Sequence, residues 1–127
     1  MIEANAKNII ITSALPYANG EIHLGHIVST YLPADIFARF CRSNGKNVVF
    51  TCATDDFGTP ILLQSEKEKI TPQKYIEFWN KRDFTDFNDL GISFDFFHNT
   101  SSDENIKLTQ YFFQKMDRGH QELIPKD

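Results

Sequence analysis

The sequence is short of cysteine, of basic charge and of long apolar runs, and each shortage closes off a class of protein. Its 127 residues hold two cysteines, too few for a disulfide framework. Both sit in apolar segments, which reads as reduced thiols and a cytoplasmic setting. The net charge of −4 argues against binding nucleic acid through a broad basic face, though not against a local RNA contact. No basic-then-apolar leader opens the chain, and no apolar run nears the ~18 residues of a membrane span. Internal repeats and low-complexity segments are absent as well. What remains is one domain's worth of chain, 41% apolar with 12 phenylalanines, enough to bury a core.

The chain is organised around Ile9 to His26. Ile9-Ile10-Ile11 is short and β-branched and reads as a buried strand over Lys7 to Ser13. Pro16 ends it, because proline has no N–H for the ladder. Asn19-Gly20 marks a turn. His23 and His26 follow, three apart, where a helical pattern starts. A helix start is positive and has free N–H groups, so this spot suits an anion. Gly25, lacking a Cβ, lets a flat ligand approach the backbone, and the imidazoles can donate to phosphate oxygens. Two histidines at this spacing could also be half of a metal site, or plain polar residues at a helix end.

Apolar residues at Leu24, Ile27, Val28, Tyr31, Leu32, Ile36, Phe37 and Phe40 predict a helix to Asn44, kinked or restarted at Pro33 and stopped at Gly45. Asn47 to Cys52 predicts a second strand. Strand–helix–strand implies a right-handed parallel crossover. Ala14 to His26 and Ala53 to Pro60 should then face one crevice at the carboxyl edge of the sheet, where ligands of open α/β sheets bind. In the second loop Asp55 and Asp56 are adjacent carboxylates. They read either as turn and cap residues or as a counter-charge for an amino group. A short helix over Ile61 to Lys69 follows. Thr71-Pro72 caps and starts another, whose aromatics (Tyr75, Phe78, Trp79, Phe84, Phe87) read as core, and Gly91 stops it. Ile92 to Phe97 is a candidate strand. Ser101-Ser102-Asp103-Glu104 resembles a capping box for a last helix from Asp103 to Arg118. This is half of a doubly wound sheet, as in the front part of a larger protein.

Taken together, Ala14-Leu15-Pro16-Tyr17-Ala18-Asn19-Gly20 with Ile22-His23-Leu24-Gly25-His26 closely resembles the signature of methionyl-tRNA synthetases, and His-Leu-Gly-His resembles their variant of the class I motif. Ala34-Asp35, Cys52 to Pro60 and Phe94-Asp95 also look like that family, the Thr-Asp-Asp-Phe-Gly version like its archaeal branch. The likeness runs from about Asn8 to Met116. It implies a Rossmann-type parallel sheet with flanking helices: residues 1–118 as the first half of the catalytic domain, and 119–127 leading toward an inserted domain. It implies activation of methionine with ATP and Mg2+, and charging of tRNA(Met), by the parent protein in the cytoplasm. His23 and His26 would be catalytic and contact the ATP phosphates. Pro16, Asn19, Gly20 and Gly25 would contact ATP, with Gly25 against the adenine. Ala14, Leu15 and Tyr17 would line the methionine pocket, and Asp55 would hold its ammonium.

The family's Lys-Met-Ser-Lys-Ser signature is absent. Its zinc knuckles and anticodon-binding domain also lie outside this stretch, so the resemblance implies no metal in this chain. The piece alone should be inactive and is expected to need the remainder of the synthetase. Its open sheet edge favours self-association. Two other readings stay open: another nucleotidyl transferase using His-x-Gly-His, and a non-catalytic nucleotide-binding or interaction module.

Overall fold

The computed structural model describes the backbone of residues 7–123 and the side chains of residues 7–116. Three strands, β1 (Asn8–Thr12), β2 (Asn47–Thr54) and β3 (Phe96–Asn99), form one parallel sheet in the order β1-β2-β3. Ile11 lies opposite Phe50, and Cys52 opposite Phe97. Burial alternates along β2, with Val48, Phe50, Cys52 and Thr54 inward. A strand with one face covered shows this pattern. β2 runs two residues beyond the expected end, taking Ala53 and Thr54 out of the loop.

β1 departs from the fully buried strand that three isoleucines suggest. Ile11 is buried but Ile10 is 75% exposed, because β1 is an edge strand and the pleat turns alternate side chains outward. β3 also begins later than expected. Ile92 is buried in the approach to it without joining the ladder.

The first helical stretch has three parts: α1 (Leu24–His26), a π-helical turn (Ile27–Tyr31) and α2 (Leu32–Ser43). Pro33 lies in the first turn of α2. There a missing N–H costs little, so the proline starts a new segment, with the π turn taking up the mismatch. The helix buries a different face from the one its apolar residues suggest. Ile27, Tyr31, Asp35, Ala38 and Cys41 point inward, while Leu24, Val28, Ile36 and Phe40 are exposed. Asp35 is tolerated inside because it is fully partnered. It accepts from Ser93 N (2.7 Å), from the Ser93 hydroxyl and from Arg39 Nε (2.6 Å). Burial alone would raise its carboxyl pKa, but these donors outweigh burial and hold it below the ordinary value.

α3 (Thr59–Glu68) and α4 (Pro72–Asp89) connect β2 to β3. Thr71 caps α4 by accepting from Lys74 N, and Gly91 ends it with φ +71°, a conformation open to glycine. Tyr75 and Phe87 are core as expected, but Phe78, Phe84 and Leu90 are exposed. α5 (Asp103–Leu123) continues through Gly119, past the expected stop; residues 124–127 lie outside the described residues. The expected capping box is only half present. Ser102 accepts from Asn105 N, which puts Asn105, not Glu104, at the return position. Phe50 and Phe87, fully buried in the main core, each contribute roughly 1.5–3 kcal/mol.

Candidate functional site

The loops after β1 and β2 meet directly. Tyr17 and Asp55 form a parallel bridge, with Asp55 N donating to Pro16 O (2.8 Å) and Ala18 N to Asp55 O (3.0 Å). The loop after β1 therefore continues the sheet for one residue pair and then turns away. Ala18 anchors it in a small second core with Ile61, Tyr75 and Ile76. Tyr75 donates its hydroxyl to Asn19 Oδ1 at 2.7 Å, and Gly20 takes φ +149°, which a side chain would strain. Beneath the loop, Tyr31 donates its hydroxyl to Ala14 O (3.0 Å), and the Cys52 thiol approaches the same carbonyl at 3.7 Å.

A cavity of about 360 Å³ opens beside this loop. It gathers seven of the ten site residues expected from the sequence: Ala14, Leu15, Pro16, Tyr17, Asn19, Gly20 and His26. Glu21, Ile22, Thr30 and Tyr31 complete the wall. The sequence held no sign of Thr30, whereas Tyr31 was visible only as a core position. His23, Gly25 and Asp55 are not in that wall. A second cavity of about 410 Å³ lies over the carboxyl ends of the strands, between Ser13, Leu15, Ala53, Asn99 and α5.

The two histidines form a unit. Their rings stack with centroids 3.8 Å apart. His23 Nδ1 accepts from Gly25 N (3.1 Å), and His26 Nδ1 accepts from His23 N (3.4 Å), a capping box built from imidazoles. With both Nδ1 atoms accepting, the proton of each neutral ring sits on Nε2. Each exposed ring thus has an Nε2–H left to donate. The glycine between them makes room for this packing. A Cβ on Gly25 would lie 2.9 Å from His23 Cε1 and 3.0 Å from its Nδ1, so the space beside Gly25 belongs to the His23 ring.

The adjacent aspartates separate into two roles. Asp56 is 5% exposed. It accepts from the Thr54 hydroxyl (2.8 Å), the Ser101 hydroxyl (2.7 Å) and Ser101 N (3.1 Å), while its own N–H donates to Thr100 Oγ1 (2.9 Å). It ties β2 to the start of α5. Asp55 is half-buried, and among the described residues its carboxylate accepts only from Phe57 N at 3.4 Å, which leaves it able to meet a cation. Gly58, at φ +131°, lets Tyr17 lie close: a Cβ there would come within 2.6 Å of the Tyr17 hydroxyl. Among the described residues, no three His, Cys, Asp or Glu side chains are grouped to hold a metal.

A family model described as tRNA synthetases class I (M) matches residues 9–124. The methionine–tRNA ligase of Rubrobacter xylanophilus is 43% identical over 90% of this chain and 20% of its own length. That of Thermococcus kodakarensis is 46% identical over 87% of this chain and 15% of its own, so identity does not single out a branch. The chain spans a fifth or less of the length of these relatives. Among solved structures, Mycobacterium tuberculosis methionyl-tRNA synthetase in complex with methionyl-adenylate superposes with a TM-score of 0.73 at 26% identity, over 77% of this chain and 19% of that one. The LeuRS of a ternary complex with tRNA and LeuAMS from Agrobacterium radiobacter gives 0.81 at 22% identity, over 94% and 16%, a likeness of fold.

Proposed function

The chain belongs to the class I tRNA synthetase family, and from that premise we propose that its residues form the first half of a catalytic domain that activates methionine with ATP. In a protein of its relatives' length, the methionine carboxylate attacks the α-phosphorus and pyrophosphate leaves. The acyl group then passes to a ribose hydroxyl at the 3′ end of tRNA(Met). Charge grows on the phosphoryl oxygens during the first step, so fixed donors lower its barrier most. The Nε2–H groups of His23 and His26 are such donors, held in place because their Nδ1 atoms are committed to the helix cap. Magnesium accompanying ATP neutralises its phosphate tail.

Ala14, Leu15 and Tyr17 face the methionine, with Asp55 as counter-charge for its ammonium. Pro16, Asn19, Gly20 and Gly25 serve the nucleotide side. Residues 1–118 make up this half-domain, and 119–127 lead toward an inserted domain. Among the described residues no helix is long and apolar enough to cross a membrane; a cytoplasmic location belongs to the same proposal, as do methionine, ATP, tRNA(Met) and the remainder of the synthetase as partners.

The observation that carries this reading is the Tyr17–Asp55 bridge, which pairs the two motif-bearing loops backbone to backbone. The test is methionine-dependent pyrophosphate–ATP exchange by the full-length protein. His26→Ala is expected to slow exchange by ~10²–10³ with methionine binding nearly unchanged. Exchange that does not depend on methionine, or an unaltered rate in His26→Ala, would overturn it.

A further inference from the structure

A carboxyl group on α4 lies buried without a partner among the described residues. Asp83 is on α4 and 0% exposed, and neither of its oxygens has a hydrogen-bond partner among the described residues. The indole N–H of Trp79, one turn earlier on the same face, is buried and unpartnered too. Phe87, one turn later, packs edge-on against Tyr31 with ring centroids 4.5 Å apart. The same face therefore looks onto Tyr31. Asp83 acts electrostatically on Tyr31 and on the Cys52 thiol, raising the pKa of both beyond what burial does. These are the two groups that approach the Ala14 carbonyl. Carboxyl, phenol and thiol thus act on one another beneath a residue of the cavity wall, while the Trp79 indole N–H lies one helical turn from Asp83.

A buried carboxylate without donors is costly, whereas a neutral carboxyl is tolerated. We propose that Asp83 is a positioning residue for the Ala14 loop. When neutral, it leaves the Tyr31 hydroxyl on the Ala14 carbonyl. When it gives its proton to solvent, it draws on the Tyr31 hydroxyl and the Trp79 indole N–H and loosens that hold. Burial is the main influence on its titration, with Asp86 raising the pKa and Arg82 lowering it, and the carboxyl is pushed up to about 7. The charged and titratable groups that act on it or that it acts on are Asp86 and Arg82 from α4, Tyr31 from the π turn and Cys52 from β2. The device works near neutral pH and moves the loop that holds Ala14, Leu15 and Tyr17. Its consequence for catalysis rests on the adenylation reading, but its test does not use activity.

Trp79 is the only tryptophan in the chain, so its indole reports the cluster directly. In the 127-residue chain, the indole Nε1–H resonance, the Asp83 carboxyl ¹³C resonance and the Ala14 carbonyl ¹³C resonance are followed from pH 5 to pH 9. All three are expected to move together with a midpoint near 7. The indole and Ala14 transitions should vanish in Asp83→Asn and persist in His98→Gln and His26→Ala. Tyr31→Phe removes one donor from the charged form and should shift the midpoint upward. An Asp83 carboxyl that titrates in the ordinary range, an Ala14 carbonyl flat through neutral pH, or an indole transition surviving in Asp83→Asn would overturn the proposal. The wild-type carboxyl measurement decides the matter even if a variant folds poorly. Failure of methionine-dependent exchange would leave it standing and strike only the function.

Discussion

The two loops at the carboxyl edge of the sheet are built on opposite plans. The loop after β2 is short and clamped. Asp56 collects three donated hydrogen bonds and fastens the strand end to the turn between β3 and α5. The loop after β1 is long and lines a cavity. It is held from beneath and from the side by the Tyr31 hydroxyl on Ala14, the Tyr75 hydroxyl on Asn19, Ala18 in the second core, and the bridge to Asp55. One loop is a fixed wall, and the other is laid along it. A site made this way fastens Asp55 on the clamped side and lays Ala14 to Gly20 along it. Fixed scaffold with adjustable loops is how binding residues are generally deployed.

The sharpest way to break the contrast is to swap the fates of the two aspartates. Asp56→Ala strands the donors of Thr54 and Ser101 in a buried place. It should cost about 3–5 kcal/mol of stability, since each unmet buried donor costs ~1–3 kcal/mol. Asp55→Ala loses one long bond at a half-buried position and should change stability by less than about 0.5 kcal/mol. In the full-length enzyme it should instead raise the methionine KM. Urea midpoints and exchange kinetics on the two variants check both halves. Equal stability losses would mean that the second loop is not divided as described.

A smaller effect separates the wall from what lies behind it. Asp83 has its pKa raised to about 7 in the fold, against an unfolded value of ~4. The fold therefore favours its neutral form. No penalty exists below pH ~4, stability falls as pH rises through the interval, and the full penalty stands above about 7. Three units correspond to on the order of 4 kcal/mol, less whatever Tyr31 and Trp79 return by donating. Asp83→Asn cannot ionise. Its stability relative to wild type should climb between pH 4 and pH 8, when unfolding is measured at each pH. A constant difference would remove the buried charge from the account. Asp35 contributes to both proteins alike, so its lowered pKa drops out of the comparison.

Much of this was readable from the chain. The β-branched run, Pro16, Gly45 and the Val48-Val49-Phe50 strand marked out a strand–helix–strand unit, and the parallel pairing put the two loops together as expected. The faces were harder. The buried stripe of the first helix includes Asp35, whose partner Ser93 lies 58 residues away, and no local pattern announces such a pair. Without it, Leu24, Val28, Ile36 and Phe40 look like the inner face. Asp83 misleads in the same way, since a charged residue in an amphipathic helix reads as surface. The aspartate pair could not be resolved locally, because Ser101 and Thr100, which claim Asp56, belong to a distant turn. The spacing of the histidines shows only that the rings can donate to an anion. Half of each ring is spent on the backbone, a use that depends on the rotamer and not on the spacing.

The smallest predicted effect tests that last point. Gly25→Ala places a methyl 2.9 Å from His23 Cε1 and 3.0 Å from Nδ1. The ring must swing away, because the backbone of a helix start cannot give. The cap from His23 to Gly25 N is then lost, and with it the stack on His26. A lost N-cap costs ~1 kcal/mol, and alanine's better helix propensity returns some tenths at an interior position. The net change in unfolding free energy should therefore stay below about 1 kcal/mol. The exchange rate of the full-length enzyme should fall by more than that stability loss accounts for, because the Nε2–H of His23 no longer points where the stacked cap held it. His23→Ala gives the reference. It removes ring and donor together, so adding Gly25→Ala to it should do almost no further harm to exchange. Additive losses in the double variant would show that Gly25 serves the site by approaching a ligand directly, and not by making room for His23.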